Sequence, residues 1–221
     1  MGIGLDRTRI RDAVQNGRNI SVRTTNYLAG ERESIDEVLE IFLEEANLLE
    51  YRNKIAYCVH ELASNAQKGN TKRAYFHEQG LDIRDEYEYQ RGMEGFRRDT
   101  FDRIQHYVGL QKRLGLHVRL TFRLDGPEAR LSVTQNTGLT SIERRRIQEK
   151  LDLARQTETL VSAYGDAYDS NEGAGLGLVM TILMLRHIGL HEDVLEPHFS
   201  HDETSFVLRL QRIDAEALVS A

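Results

Sequence analysis

The sequence holds one cysteine, two prolines and no long apolar run, and each shortage excludes a class of protein. Because Cys58 has no partner for an internal disulfide, we expect a reducing compartment, the cytoplasm. With only Pro127 and Pro197, and without repeats or low-complexity tracts, nothing marks a flexible interdomain linker. The longest apolar run, Gly173 to Leu185, is too short to cross a bilayer. The opening residues are charged, which argues against a secretory leader, so we expect no membrane partner.

The remaining composition is that of a folded, mildly acidic protein. At 221 residues, with 40% hydrophobic and 29% charged residues, the chain can bury one sizeable core. Its formal net charge is −6, which disfavours a general polyanion-binding surface. We therefore expect one domain with additions, and no nucleic-acid partner.

Hydrophobic periodicity predicts the first half of the chain. A short amphipathic helix and a strand open it, at Asp6–Gln15 and Ile20–Tyr27. Ser34, with Glu37 three residues later, has the form of a capping box and predicts the start of the next helix. A further helix is predicted from about Tyr51 to Asn70.

The segment from about 77 to 116 is polar with scattered aromatic residues. Phe101, Ile104, Val108 and Leu114 keep helical spacing, which predicts one long helix from about Tyr89 to Leu114. This length is unusual for a connection, which indicates an inserted element with a role in dimerisation or partner binding. The alternative is a helix that only covers the core.

The second half predicts antiparallel strands mixed with helices. Alternating residues flank Asp125-Gly126-Pro127-Glu128, which is typical of a hairpin. The other predicted elements are a helix at Ser141–Gln156, a lid-like segment at about 157–172, a buried helix at Leu176–Ile188, and strands at Leu195–Phe199 and Thr204–Leu210. This order predicts an α+β fold, a two-layer α/β sandwich with a mixed sheet and helices on one face.

Two stretches carry the chemistry. Glu61, Asn65 and Lys68 stand at i, i+4 and i+7, so a carboxylate, an amide and an ammonium share one helix face. The glycine-rich turn Glu172-Gly173-Ala174-Gly175-Leu176-Gly177 opens an apolar helix, where free backbone N–H groups and the positive helix end can hold phosphate. Together they predict a magnesium-nucleotide site.

These stretches, in this order, resemble the ATP-binding domain of the GHKL superfamily, and most closely that of stand-alone histidine-kinase-like ATPases. The resemblance covers about Ile20 to Arg212 and implies the Bergerat fold, with ATP and Mg²⁺ as cofactors. It implies that Asn65 coordinates the magnesium, that Lys68 meets phosphate, and that Glu61 polarises the acceptor or a water. Further implied binding residues are Gly173, Gly175 and Gly177, which close on the phosphates, and Thr204, which helps to hold the adenine.

One segment departs from the superfamily pattern. Gln135 to Thr140 occupies the place of the Asp-x-Gly-x-Gly box, whose aspartate accepts a hydrogen bond from the adenine amino group. Aligning Asn136-Thr137-Gly138 with the box makes Asn136 and Gly138 the cofactor-binding residues and replaces the carboxylate by an amide. An uncharged acceptor would contribute on the order of 1 kcal/mol less than a charged one.

Other interpretations stay open from the residues alone. Glu61, Asn65 and Lys68 can form a solvated helix face, and the glycine turn also resembles a dinucleotide fingerprint, although no βαβ unit surrounds it. His60-Glu61-Leu62 resembles the start of a phosphoacceptor box, but the residues that follow favour the nucleotide interpretation.

The resulting hypothesis is a signalling protein kinase, of the histidine-kinase or the anti-sigma serine-kinase type, that transfers the γ-phosphoryl of Mg-ATP to a protein side chain. The alternatives are a nucleotide-dependent ATPase switch and a non-catalytic interaction module. We expect 1–17 to form an accessory helix, 18–213 the ATP-binding domain, and 214–221 a tail. The protein partner stays open between a receiver domain and a sigma-factor regulator, and a homodimer is one expected state.

Overall fold

Helices form most of the chain that the computed structural model describes, which is residues 6–27, 29–157, 176–190 and 194–212. The helices are α1 (Arg7–Gln15), α2 (Ala29–Glu45), α3 (Arg52–Gln79), α4 (Glu86–Asp102), α5 (Ile104–Arg113), α6 (Ser141–Gln156) and α7 (Leu176–His187), with a 3₁₀ turn at Leu49–Tyr51 before α3. None of the helices in these ranges has the length and apolarity that a bilayer span requires.

The five strands form one antiparallel sheet in the order β1-β2-β3-β5-β4. They are β1 (Ile20–Thr24), β2 (Val118–Asp125), β3 (Glu128–Gln135), β4 (Leu195–Phe199) and β5 (Thr204–Gln211). The predicted mixed sheet was wrong for these strands, since every neighbouring pair is antiparallel. The helices between β1 and β2 return the chain to the end of β1, where Val118 faces Thr24, and β5 inserts between β3 and β4.

Strand alternation gives the sheet one apolar and one polar face. Val118, Leu120 and Phe122 of β2 are fully buried and pack with α2, α3 and α7 in the main core. Arg119, Thr121 and Arg123, from the same strand, lie on the other face and are partly or fully exposed. The coarse prediction of an α+β fold with helices packed on a sheet is confirmed.

Two predicted helix boundaries were wrong. Helix α2 begins before Ser34, whose hydroxyl donates to Gly30 O within the helix (3.3 Å) instead of capping it. Helix α3 does not stop at Gly69-Asn70 but continues to Gln79 and ends at Gly80, which has the left-handed φ of 64°. Gly69 lies inside the helix, where an added Cβ would lie 2.5 Å from Gln135 Oε1 and would force that side chain to move. Its absence of a side chain therefore serves packing and not helix termination.

The predicted long helix from Tyr89 to Leu114 is two helices. Arg103, with φ −121° and ψ 33°, separates α4 from α5. The helical spacing of Phe101 and Ile104 does not mark a buried face, because both side chains are exposed. Instead α4 and α5 pack on the second half of α3 through a separate apolar cluster, which consists of Ala74, Tyr75, Phe76, Tyr89, Tyr107, Leu110, Leu116 and Ile142.

Candidate functional site

The first half of α3 presents the predicted polar face. Its apolar side, including Ile55, Val59 and Leu62, is buried in the main core and fixes the rotation of the helix. Glu61 and Asn65 are half-buried and Lys68 is exposed, so all three side chains keep access to solvent. The three residues therefore lie on one continuous helix, as their spacing predicted.

The start of α7 lies directly against Glu61. A Cβ on Gly177 would stand 1.7 Å from Glu61 Oε1, so the carboxylate occupies the space that a side chain there would fill. Two sites more than a hundred residues apart in sequence thus meet, and the partial positive charge of a helix N-terminus lies beside the polar face of α3. Gly173, Gly175 and residues 158–172 of the predicted lid lie outside the described residues.

The Asn136 side chain is hydrogen-bonded to the backbone around the start of β2. Its Oδ1 accepts from His117 N (2.7 Å) and its Nδ2 donates to Gly115 O (2.9 Å). These bonds fix the turn between α5 and β2. Recognition of adenine by Asn136 stays a prediction, in which Oδ1 would accept from the adenine amino group beside or in place of His117 N.

Gln135 is the side chain that faces α3 from the end of β3. It is buried, pairs in register with Thr204, and its Nε2 donates to Thr137 O (3.1 Å). Thr204 Oγ1 donates to the same carbonyl oxygen (2.9 Å), so both side chains converge on one point. The alignment missed Gln135, but alternation along β3 could have found it, since Gln135 lies on the same face as the buried Leu131 and Val133.

Gly138 is required by packing whether or not a nucleotide binds. An added Cβ would lie 2.0 Å from His201 O and 2.8 Å from Ser200 O, both in the hairpin between β4 and β5. The carbonyl oxygen of Gly138 accepts from Arg73 Nη2 (2.7 Å). Backbone contacts therefore explain why position 138 is a glycine, and this glycine gives no independent evidence for a phosphate-binding loop.

A buried ion cluster lies next to Gly138, since Arg73 belongs to both. Glu143 accepts from both Nη atoms of Arg73 (2.6 and 2.9 Å) and from Lys72 Nζ (3.1 Å). It also completes the capping box of α6 with Thr140. Burial alone would raise the pKa of the Glu143 carboxyl, but the hydrogen bond and charge of Arg73, with the charge of Lys72, lower it to about 2. The cluster joins α3 to α6.

The depressed pKa of Glu143 predicts how stability depends on acid. The carboxyl binds protons less readily when folded, where its pKa is about 2, than at its ordinary value of 4.5. Its contribution is therefore complete above about pH 4.5 and is lost as the pH falls towards about 2. Urea titrations between pH 6 and 3 should show this loss in the native protein. A Glu143→Gln variant should lose less stability over the same range, and an equal loss would contradict the assignment.

His60 has both ring nitrogens occupied. Its Nε2 lies 2.8 Å from Asp36 Oδ1, and its Nδ1 accepts from the Tyr27 hydroxyl. Burial raises the pKa of Tyr27, so this hydroxyl stays a donor. The phosphoacceptor interpretation of His60 would need one nitrogen to be released, whereas the observed bonds make it a link between α3, α2 and the segment after β1.

The donor set on α3 suits magnesium better than a fully protein-bound metal. Among the described residues, no group of three or more His, Cys, Asp and Glu side chains is placed to enclose a metal ion. Magnesium commonly uses one or two protein oxygens and completes its shell with water and phosphate. The amide oxygen of Asn65 fits that pattern.

Comparisons with known proteins give one relative and no family. An uncharacterized protein of Treponema pallidum (strain Nichols) is 36% identical over 202 residues. The alignment covers 91% of this chain but only 39% of the relative, so the chain spans about two fifths of that protein's length. No protein-family model and no solved structure matches the chain.

Proposed function

We propose that this protein binds a magnesium-nucleotide where the polar face of α3 meets the start of α7, and that it acts as a signalling kinase of the histidine-kinase-like type. The observation that carries the proposal is the contact of the Glu61 carboxylate with Gly177. It brings the acidic and amide side chains of α3 to a helix N-terminus that follows a glycine-rich stretch of sequence. The resemblance to the GHKL superfamily supports the same site.

Each residue has a distinct role in this proposal. The Asn65 oxygen holds the metal, which when bound neutralises phosphate charge, and exposed Lys68 offers a mobile ammonium to the phosphates. Glu61 accepts the proton of the attacking hydroxyl or water, or orients it. Catalysis then rests on positioning and electrostatics, because phosphoryl transfer needs little covalent chemistry from the protein.

A non-catalytic or switch-like module is the second candidate, and the end of β3 favours it. Gln135 and Asn136 provide amides where the superfamily box has a carboxylate, and both are already hydrogen-bonded to backbone oxygens. A nucleotide base would have to compete with these bonds. Under this candidate the protein binds a nucleotide or a partner and catalyses no phosphoryl transfer.

Calorimetric titration with ATP, ADP and GTP, each with and without magnesium, tests the site. We expect Asn65→Ala to weaken magnesium-nucleotide binding about 10- to 100-fold and to remove its magnesium dependence, because a metal contact is lost. Asn53→Ala is the matched control, since Asn53 is an exposed asparagine near the start of the same helix. If both variants bind the nucleotide equally well, the nucleotide binds elsewhere on the protein. If the unaltered protein binds no nucleotide, the kinase proposal fails and the non-catalytic interaction module is the candidate that stands.

A further inference from the structure

The outer side of α4 carries a regular line of exposed side chains. Tyr87, Arg91, Glu94, Arg98 and Phe101 follow one another at intervals of four, three, four and three residues, and all five are exposed. This is the spacing of the contact seam in a coiled coil. The two aromatic residues at its ends are among the most exposed apolar side chains described, at 76% for Tyr87 and 82% for Phe101.

These side chains make almost no polar or ring contacts within the described parts of the chain. Tyr87, Arg91, Glu94 and Phe101 make no hydrogen bond, ion pair or ring contact there, and Arg98 pairs only with its neighbour Asp99 (3.0 Å). The opposite side of α4, with Tyr89 and Gly92, is buried against α3. Single exposed apolar residues are ordinary, but two aromatic residues on one line with charges of both signs between them form a surface.

We propose that this seam binds the same seam of a second copy of the chain, with the two α4 helices antiparallel. Among the antiparallel registers, the one that places Glu94 of each copy opposite Arg98 of the other gives two equivalent ion pairs. It leaves Tyr87 outside the facing pairs, because the position that would face it lies past the end of α4. Arg91 of each copy then lies against the Phe101 ring of the other, a cation–π arrangement. The contact is isologous and closes with twofold symmetry.

Charge pattern excludes the parallel arrangement. Parallel helices would place each seam residue opposite its own copy, so Arg91 would meet Arg91 and Glu94 would meet Glu94. Like charges across a seam are destabilising, whereas the antiparallel pairing has none. Helix α4 is about 25 Å long at 1.5 Å per residue. In this register the facing pairs run from Arg91 to Phe101, which is about 15 Å at 1.5 Å per residue. A contact of this length, with charged central layers, gives a concentration-dependent dimer and not an obligate one.

The seam is independent of the proposed nucleotide site. The site uses the first half of α3, whereas α4 packs on the second half through Phe76 and Tyr89. Dimerisation through α4 therefore uses no residue of the proposed nucleotide site in either copy. A failure of nucleotide binding would not affect this proposal, and a failure of dimerisation would not affect the nucleotide site.

Sedimentation equilibrium over a concentration series, with charge exchange in the seam, tests the proposal. We expect the unaltered protein to pass from monomer to dimer. Glu94→Arg and Arg98→Glu should each raise the dissociation constant at least about tenfold, because each places like charges opposite one another. An equimolar mixture of the two variants should dimerise again, since each variant then supplies the charge that the other lacks.

The controls make the same charge changes away from the seam. Glu33→Arg in α2 and Arg113→Glu at the end of α5 alter exposed residues and should leave the dissociation constant unchanged. A protein that stays monomeric at every concentration overturns the proposal and leaves the seam to a different partner. Dimers that survive both seam variants, or a mixture that stays monomeric, would also overturn it.

Discussion

Replacing Glu143 by glutamine is expected to lower the free energy of unfolding by about 3 to 5 kcal/mol, the usual cost of removing one partner from a buried charge pair. The variant keeps the size of the side chain and an oxygen that can accept from Thr140 N. It removes the charge that compensates Arg73 and Lys72, whose side chains are only 12% and 16% exposed. Urea unfolding followed by circular dichroism measures the change.

Glu149→Gln provides the comparison within the same helix. Glu149 is exposed on α6, so loss of its charge should change the free energy of unfolding by no more than about 0.5 kcal/mol. If both glutamine variants unfold at the same urea concentration, the Glu143 cluster does not contribute to stability as its geometry indicates.

Replacing Gly138 by alanine is expected to cost about 3 kcal/mol of unfolding free energy, the upper end of the range for overpacking. The added Cβ would meet the backbone oxygen of His201 at 2.0 Å, and a backbone atom cannot move aside as a flexible side chain can. The hairpin between β4 and β5 would have to shift. Thermal and urea unfolding without nucleotide measure the effect, because the cause lies in packing.

The same substitution at Gly109 should have the opposite sign. Gly109 lies inside α5, and its added Cβ would meet only the end of the Arg113 side chain, at 3.7 Å. Alanine should therefore raise the unfolding free energy by about 0.5 to 1 kcal/mol, because glycine weakens a helix interior. Destabilisation of both variants by similar amounts would show that the contact with His201 is not the cause.

The predictable part of the fold lies where one physical rule acts alone. Alternation fixed the β2–β3 hairpin, and helical spacing placed Glu61, Asn65 and Lys68 on one face of α3. The errors arose where a residue serves two purposes. A glycine at position 69 resembles a helix stop. Its lack of a side chain instead makes room for Gln135, and only the packed structure reveals that contact.

The candidate site shows the same limit. Motif alignment chose Asn136, whereas strand alternation places Gln135 towards α3, and the two rules conflict by one residue. The break at Arg103 could not be predicted from spacing, because Phe101 and Ile104 keep the helical period while facing outwards. The sequence predicted that these two stretches share one site, but the contact between the Glu61 carboxylate and Gly177 could be seen only in the tertiary structure.

The position of β5 has a consequence for how this protein is made. Although β5 comes last among the strands, it lies inside the sheet, between β3 and β4. Until Thr204–Gln211 has been synthesised, β3 keeps an open edge of unpaired backbone groups, with the apolar residues Leu131 and Val133 on one side. Such an edge is a template for pairing with other chains. The pairing of β3 with β5 also joins distant parts of the chain, so we expect it to form late in folding. A ribosome that stalls before residue 204 would therefore release an aggregation-prone fragment.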